Sequence, residues 1–457
     1  MNRLQSVSPV WRRYLAALIL PLLACGPAAV HSAAPDGLHE SDLAALEWRE
    51  VGTAAPSGRI TRFAVHPEDT RIIYAASASG GLWKTLNAGT TWESIFNGQP
   101  TISMGDVALA PGNPDIVWLG TGEQNSVRSS QYGNGVYRSN DGGQNWQHMG
   151  LAGSRHVGRI LIHPDNPDIV YVAALGSLWG PNDDRGLYRT TDGGETWELL
   201  LRPSAYTGVV EVQMHPDNPD VLYAATFQRE RRMWSIVGGG DEGGLYRSND
   251  GGDSWSRVEN GFPSGALGRV GVTFCPSNPD TMYATAVGPE GGTFRSTDGG
   301  ASWERRNADV QSHWYYGELV CDPENPDRVY VPVTPLLRSE DGGETFENAA
   351  VTAVHGDHHT LWVNPHDSQH LIVGNDGGVY VSRDGGEHWQ WQSNLPLMQL
   401  YTVSVDMQEP FYHVYGGAQD NGSWGGPIGT RYSDGISNED WTFIQGGDGF
   451  YAVADYS

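Results

Sequence analysis

The densest run of chemically versatile side chains is His355-Gly356-Asp357-His358-His359. Imidazole and carboxylate groups ligate divalent metals, and imidazole also moves protons near neutral pH. The run precedes Leu361-Trp362-Val363, so a strand starting there turns alternate members toward one face. Three readings stay open: a metal held by His355, Asp357 and His358, acid–base or hydrogen-bonding work by the same groups, or histidines that only pack. A metal needs three or four convergent donors, and adjacency in sequence supplies two; no metal or other cofactor is assigned. Two more carboxylates stand among amides, in Glu123-Gln124-Asn125 and Gln419-Asp420-Asn421. Hydrolysis of a glycosidic bond uses two carboxylates about 5–10 Å apart, which makes Glu123, Asp357 and Asp420 the candidate catalytic groups. Aromatic faces stack on sugars while polar groups read hydroxyls or amides. On that ground Arg155, His156, Trp314, Tyr315, Tyr316, His355, His358, Gln419 and Asn421 are the candidate ligand-binding residues, although such mixtures also occur on ordinary loops.

Two recurring phrases must position these groups. The first is a turn, as in His163-Pro164-Asp165-Asn166-Pro167-Asp168 and His215-Pro216-Asp217-Asn218-Pro219-Asp220, and its copies stand 42–60 residues apart from Pro67 to Pro365. The second follows each first: Ser139-x-Asp141-x-Gly143-x-Asn145-Trp146, Thr190-x-Asp192-x-Gly194-x-Thr196-Trp197, and so on through Asp250, Asp298, Asp341 and Asp384, with Asn87 in the earliest copy. Short β-branched and aromatic runs flank both phrases and read as strands. The period is that of one four-stranded propeller blade. In the second phrase the acid accepts backbone N–H bonds across a hairpin, glycine takes φ > 0 and the terminal aromatic packs between sheets. Asp141, Asp192, Asp250, Asp298, Asp341 and Asp384 are therefore read as structural. The expected fold is all-β: a β-propeller of antiparallel four-stranded blades, seven with clear copies and an eighth, degenerate one from Tyr401 to Ile444. Gly449–Val453 reads as a further inner strand and Glu47–Val51 as an outer strand able to close the ring. That layout also suits a piece of a longer two-propeller protein, incomplete at its C-terminus. Both turn phrases fall on one face, so the long, irregular loops at Thr121–Asn134, Leu175–Arg185 and Phe227–Glu242 should build a ligand site on the other.

The second phrase resembles the Asp-box, or BNR, repeat of sialidases, xyloglucanases and sortilin-type receptors, and the resemblance extends over most of the chain. It implies a propeller and, from the enzymes, a glycoside hydrolase. Xyloglucanase-type enzymes carry a catalytic Asp in an early blade, in a motif like Ala-Arg-Thr-Asp-x-Gly-Gly-Ala-Tyr-Arg. The matching segment here is Ala75-Ala76-Ser77-Ala78-Ser79-Gly80-Gly81-Leu82-Trp83-Lys84, with Ala78 at the acid's position. The Phe-Arg-Ile-Pro phrase of sialidases is missing. The sortilin N-terminal type and photosystem assembly factors imply instead a scaffold that binds a partner. The phrases around Asp376, Asp420 and Asp448 are similar to those of large exported bacterial proteins called glycosyl-hydrolase-like. The reading is a propeller binding a glycan or polypeptide through its loop face, with polysaccharide hydrolysis as the alternative.

Composition sets the compartment and partners. The chain has 457 residues and a formal charge of −26, which argues against nucleic acid as a partner. Residues 1–34 carry Arg3, Arg12 and Arg13 and then an apolar run too short to span a bilayer, the layout of an export signal. Leu22-Leu23-Ala24-Cys25 resembles a lipobox, making Cys25 a candidate lipid anchor, with ordinary cleavage near Val30-His31-Ser32 as its competitor. Residues 35–46 read as a linker and 47–457 as the propeller. The expected location is the periplasm, outer membrane or medium of a bacterium. Cys275 and Cys321 are expected as core thiols, because three cysteines make no disulfide framework. Sequence leaves the oligomeric state undetermined.

Overall fold

The computed structural model describes residues 51–52, 57–310, 313–350 and 354–455. The expected export signal, Cys25, the linker and the strand expected at Glu47–Val51, apart from Val51, lie outside them. Among the described residues there are eight antiparallel sheets, each with four strands in chain order from the inside outward and one of them with a fifth strand, Ile236–Gly238, off that path; there is no helix beyond two three-residue 3₁₀ turns. None is long and apolar enough to cross a membrane.

Seven sheets form the ring. Their inner strands, Ile60–Val65, Met104–Ala110, Val157–Ile162, Thr207–His215, Val270–Phe274, Val320–Cys321 and His358–Asn364, pack each against the next, and the last packs back on the first. Apolar clusters fill every gap between blades. The closing one joins Ile60, Phe63 and Trp83 of blade 1 to Ile372 and Val379 of blade 7, sealed by Leu395 and Leu397 from the segment leaving blade 7. The eighth sheet, Leu400–Val405, His413–Ala418, Gly422–Pro427 and Thr442–Gln445, therefore stands outside the ring and leaves Val403, Phe443 and Ile444 exposed. Gly449–Val453 does not form the expected strand. It lacks a sheet partner of its own and is held beside Leu400–Val405 by side-chain hydroxyls, Thr402 Oγ1 to Phe450 O at 2.8 Å and Ser404 Oγ to Ala452 O at 2.6 Å.

The repeated turns are locally self-sufficient. In all six acidic copies one carboxylate oxygen accepts the backbone N–H four residues on at 2.9 Å, from Asn145 N to Asp141 through His388 N to Asp384. The side chain of that same residue also bonds the acid, and this side-chain bond first and the backbone bond second, in the reverse order for Asp384, hold the six acids down at about 2. With their partners already in the turn, they have no vacancy for chemistry.

The inner strands carry a second pattern. Five of the seven inner strands in the ring slip register just before the residue that faces the channel, at Thr61, Gly105, Gly158, Val210 and His359. Such bulges re-aim the following side chain. A Cβ on Gly105 would lie 2.1 Å from Val157 O, and one on Gly158 2.3 Å from Val210 O, so glycine lets neighbouring blades approach there. The channel residues are Arg62, Asp106, Arg159, Glu211, Arg269, Glu318 and Thr360, charges of alternating sign and one neutral hydroxyl, all but the partly buried Arg159 fully buried. Arg62 pairs with Asp106 at 3.0 Å and with Glu318, and Arg159 grips Glu211 at 2.6 and 2.9 Å. The channel is thus filled by ion pairs.

The two remaining cysteines are bonded. Cys275 and Cys321 form a disulfide, in place of the expected free thiols. They end the inner strands of blades 5 and 6, and their separation of 46 residues is one blade repeat, so equivalent positions in adjacent blades come within 5.1 Å at Cα.

Candidate functional site

Above the channel ion pairs, at the loop-face end, Arg59 leads into the first inner strand. Its Nε and Nη2 grip Asp376 at 2.7 and 3.1 Å, and its Nη1 meets Glu123 at 3.1 Å. His359 Nε2 lies 2.6 Å from Asp376 Oδ1, and the Tyr315 hydroxyl donates to Asp376 Oδ2 at 3.1 Å. Every member of this knot is buried. Burial pushes the Asp376 carboxyl up, but Arg59 and His359 outweigh it and hold the group well below the usual carboxylate range.

Two less buried carboxylates lean on the knot. Asp420, in the turn between the second and third strands of the eighth sheet, places Oδ2 3.9 Å from Arg59 Nη2. Burial, and then the neighbouring Asp376 carboxylate, push its pKa up to about 7. Asp357 accepts from Thr334 Oγ1 at 2.6 Å and from the Tyr316 hydroxyl. An oxygen from each of Asp357, Asp376 and Asp420 lies within 4.8 Å of the others. Both Asp357 and Asp420 sit at positive φ, 58° and 59°, a backbone state sparsely used outside glycine that recurs where side chains must be aimed.

A cleft of about 320 Å³ opens between the ring and the eighth sheet. Its floor holds Asp357, Asp420 and Gln419; its walls are Val127–Ser129 from blade 2, Arg231 and Trp314 from the ring, and Tyr401, Asp448 and Phe450 beyond it. Tyr401 and Phe450 stack with centroids 5.1 Å apart and planes 6° apart, while Arg231 covers the Trp314 ring at 5.4 Å. Part of the long Phe227–Glu242 segment is a hairpin: the strand Asn218–Arg231 runs past its sheet and pairs with Ile236–Gly238, which delivers Arg231 to this wall. A larger hollow of about 450 Å³, on the Asp-box turn Asn87–Thr90, contains no carboxylate.

The structure brings some candidates together and withdraws others. Trp314, Tyr315, Asp357, Gln419 and Asp420 line the cleft. Tyr316 supports Asp357, and His355 places Nε2 3.4 Å from the Asp420 carbonyl. Glu123 is buried against Arg59. His156 is fully buried with Nδ1 on the Glu123 carbonyl at 2.8 Å, and Asn421 Nδ2 donates to the Asp376 and Gln419 carbonyls. Arg155 is exposed over Tyr132. Burial lowers the His358 pKa to about 4, so this imidazole stays neutral. Among the described residues the convergent carboxylates include neither His355 nor His358.

Sequence reading missed Arg59, His359 as a partner, and Asp376 as a site residue. The available signal was positional: Asp376 stands in the same inter-strand turn of blade 7 that Ala78 occupies in blade 1, where Ala78 N donates to Arg59 O at 3.0 Å. Seven Asp-box turns and a ring of blades settle the architecture. The chain is an Asp-box β-propeller.

Comparisons with known proteins agree. A family model described as Sortilin, neurotensin receptor 3, matches residues 134–236 of the propeller. A xyloglucanase of a Paenibacillus species is 26% identical over 339 residues, 65% of this chain and 32% of that protein. A xyloglucanase of Acetivibrio thermocellus is 24% identical over 340 residues, 66% of the chain and 39% of the relative. The chain thus spans 32% and 39% of the length of these relatives. Among solved structures, the GH74 xyloglucanase from Xanthomonas campestris aligns with a TM-score of 0.62 at 18% identity, over 82% of this chain and 59% of that one. The GH74 enzyme from Niastella koreensis aligns at 0.59 and 16%, over 84% and 60%. These likenesses show the fold.

Proposed function

We propose that the chain is an exported propeller that binds a polysaccharide of the xyloglucan class along the cleft between its ring and its eighth sheet. The observation that carries this is the cleft itself: the stacked Tyr401–Phe450 pair and Trp314 offer ring faces, beside Gln419, Arg128, Arg231 and carboxylates that can read hydroxyls. The xyloglucanase relatives support the ligand class. Affinity electrophoresis of the purified chain through xyloglucan, mixed-linkage glucan and xylan tests it. Retardation by xyloglucan, weakened about tenfold or more by Trp314→Ala or Tyr401→Ala, is expected; equal mobility in every gel refutes the reading.

A second reading, hydrolysis of the bound chain, rests on Asp420. A carboxyl that keeps its proton to about pH 7 can protonate a glycosidic oxygen, and Asp357, within 4.8 Å, is the partner carboxylate. Asp376 is unsuited to that work, since Arg59 and His359 occupy its oxygens. Release of reducing ends from xyloglucan, abolished by Asp420→Asn and by Asp357→Asn, would establish hydrolysis. Retention on the polymer without release leaves the binding role alone.

A further inference from the structure

The Asp-box seams between blades supply their own reference, and the one that closes the ring departs from it three times. At the entry to blades 2, 3 and 7 the indole of the box donates across the seam to the carbonyl that follows the preceding outer strand: Trp146 Nε1 to Ile95 O at 2.8 Å, Trp197 Nε1 to Met149 O at 2.6 Å and Trp389 Nε1 to Ala349 O at 3.0 Å. The equivalent carbonyl before blade 1 is that of Gln392, after the strand Gln390–Trp391, yet Trp92 Nε1, enclosed by protein, reaches no acceptor there. Trp303 Nε1 is also unpartnered, in a ring packed on Phe262 at 5.6 Å. Apolar side chains cap the box glycine at three seams, Ile95 at Gly143, Met149 at Gly194 and Leu200 at Gly252. At the closing seam a carboxamide does so: a Cβ on Gly89 would lie 2.6 Å from Gln392 Oε1. Asn87 also stands where six copies carry the acid, and its Oδ1 still accepts from Thr91 N at 2.8 Å, so the turn holds without a charge.

All three departures lie at the seam that holds the hollow of about 450 Å³ between blades 7 and 1. Gln390, Gln392 and Ser393 stand on one wall, Asn87 and Thr90 on the other. Asn394 bridges the walls, its Nδ2 donating to Gly89 O at 2.9 Å and Thr90 O at 2.8 Å. The side chains of Gln390, Gln392 and Arg383 meet no hydrogen-bond partner among the described residues. Trp391 and Val381 add apolar surface, and a bond from Trp391 Nε1 to Gly377 O at 3.0 Å pins the indole.

We infer that this hollow is a second glycan site, which takes a short stretch of neutral sugar at the closing seam of the ring. A carboxamide presents a donor and an acceptor together, as a sugar hydroxyl does, and the volume falls within the range of about 300–1,000 Å³ that holds small ligands. Among the described lining residues there is no carboxylate and one guanidinium, in a chain of charge −26, so the wall favours an uncharged ligand over a cation. The hollow shares no described lining residue with the cleft, and the inference therefore stands apart from the cleft's own ligand. A polymer long enough to reach both sites gains by effective concentration, without any new contact.

Saturation-transfer NMR titration of cellotetraose, xylotetraose and mannotetraose into the purified chain carrying Trp314→Ala and Tyr401→Ala, which weaken the cleft, tests this. At least one of the three should bind. Gln392→Ile in that background puts at the closing seam the residue type that Ile95 supplies at the next one; it should close the hollow and weaken binding about tenfold or more, the worth of one or two hydrogen bonds between uncharged groups. Gln390→Ala, at an exposed position, should weaken binding severalfold without disturbing the packing. A wild-type crystal soaked in the bound tetrasaccharide should show the sugar against Gln390 and Gln392. Binding of none of the three sugars, or binding that both variants leave unchanged, overturns the inference, while retardation of the wild type by xyloglucan reports on the cleft separately. If Gln392→Ile does not fold, Gln390→Ala and the soaked crystal decide it.

Discussion

Replacing Arg59 by Met isolates the energetics of the knot at the channel mouth. The guanidinium makes three bonds, at 2.7, 3.1 and 3.1 Å, to two carboxylates that are 2% and 1% exposed. Removing it leaves Glu123 buried with no cation within 4.0 Å among the described residues and Asp376 with His359 alone, the situation in which a broken buried pair costs about 3–5 kcal/mol. The variant can shed part of that by protonating one carboxylate, so the loss should be larger at pH 8 than at pH 5. Urea unfolding of the wild type, Arg59→Met, Asp376→Asn and the double variant measures the loss and the coupling. The pair term should reach about 2 kcal/mol or more, because Asp376→Asn relieves much of the strain that Arg59→Met creates. Arg59 also lowers the Asp420 pKa, so the variant should lift it further above about 7, visible as an upward shift in the carboxyl titration followed by NMR. A loss under about 1 kcal/mol together with additive single variants would refute the view that this knot is a desolvated ion network.

Three further outcomes follow from the same structure. Asp420 is protonated below about pH 7 when folded and only below about 4 when unfolded, so its contribution to stability is present below pH 4 and is lost as pH rises through 7; Asp420→Asn should flatten that part of the wild-type stability profile, and any hydrolysis that uses the proton should fall above pH 7. Cys275→Ser with Cys321→Ser removes a link spanning 46 residues, which on loop-closure entropy lowers stability by about 4 kcal/mol, read as a drop in urea midpoint that a reductant reproduces in the wild type. Asp298→Ala strips an exposed turn of the acceptor for Ser302 N and Ser302 Oγ, and because water replaces much of this, denaturation should report a loss of only about 1 kcal/mol.

The repeats were legible because each is closed on itself. Asp250 needs only Ser248 and Ser254 to hold its turn, so four neighbouring letters announce it. Trp314, Asp357 and Asp420 were likewise found from their place in irregular loops, and they do share one cleft. What stayed hidden depends on partners far along the chain. Arg59 and Asp376 are 317 residues apart, and nothing near either marks the pair until blade 7 closes on blade 1. His156 and His358 looked like ligands, yet the packing of their strands turns them into the interior, a choice of register that composition does not record. The disulfide was missed because cysteine number was weighed and spacing by one blade was not.

The channel charges also act as a count. Signs that alternate around a closed ring can do so without conflict only if the number of positions is even, and this ring has seven. Thr360 resolves the mismatch by carrying no charge, and Arg62 reaches past it to Glu318, two blades back. Insertion of an eighth blade at that seam would pull Arg62 and Glu318 apart, leaving Arg62 with Asp106 alone and Glu318 with Arg159 at 3.8 Å. The Arg62–Glu318 pair, which forms only across one uncharged position, therefore favours closure at seven blades independently of the apolar contacts between them, with the eighth sheet outside, where it forms one wall of the cleft.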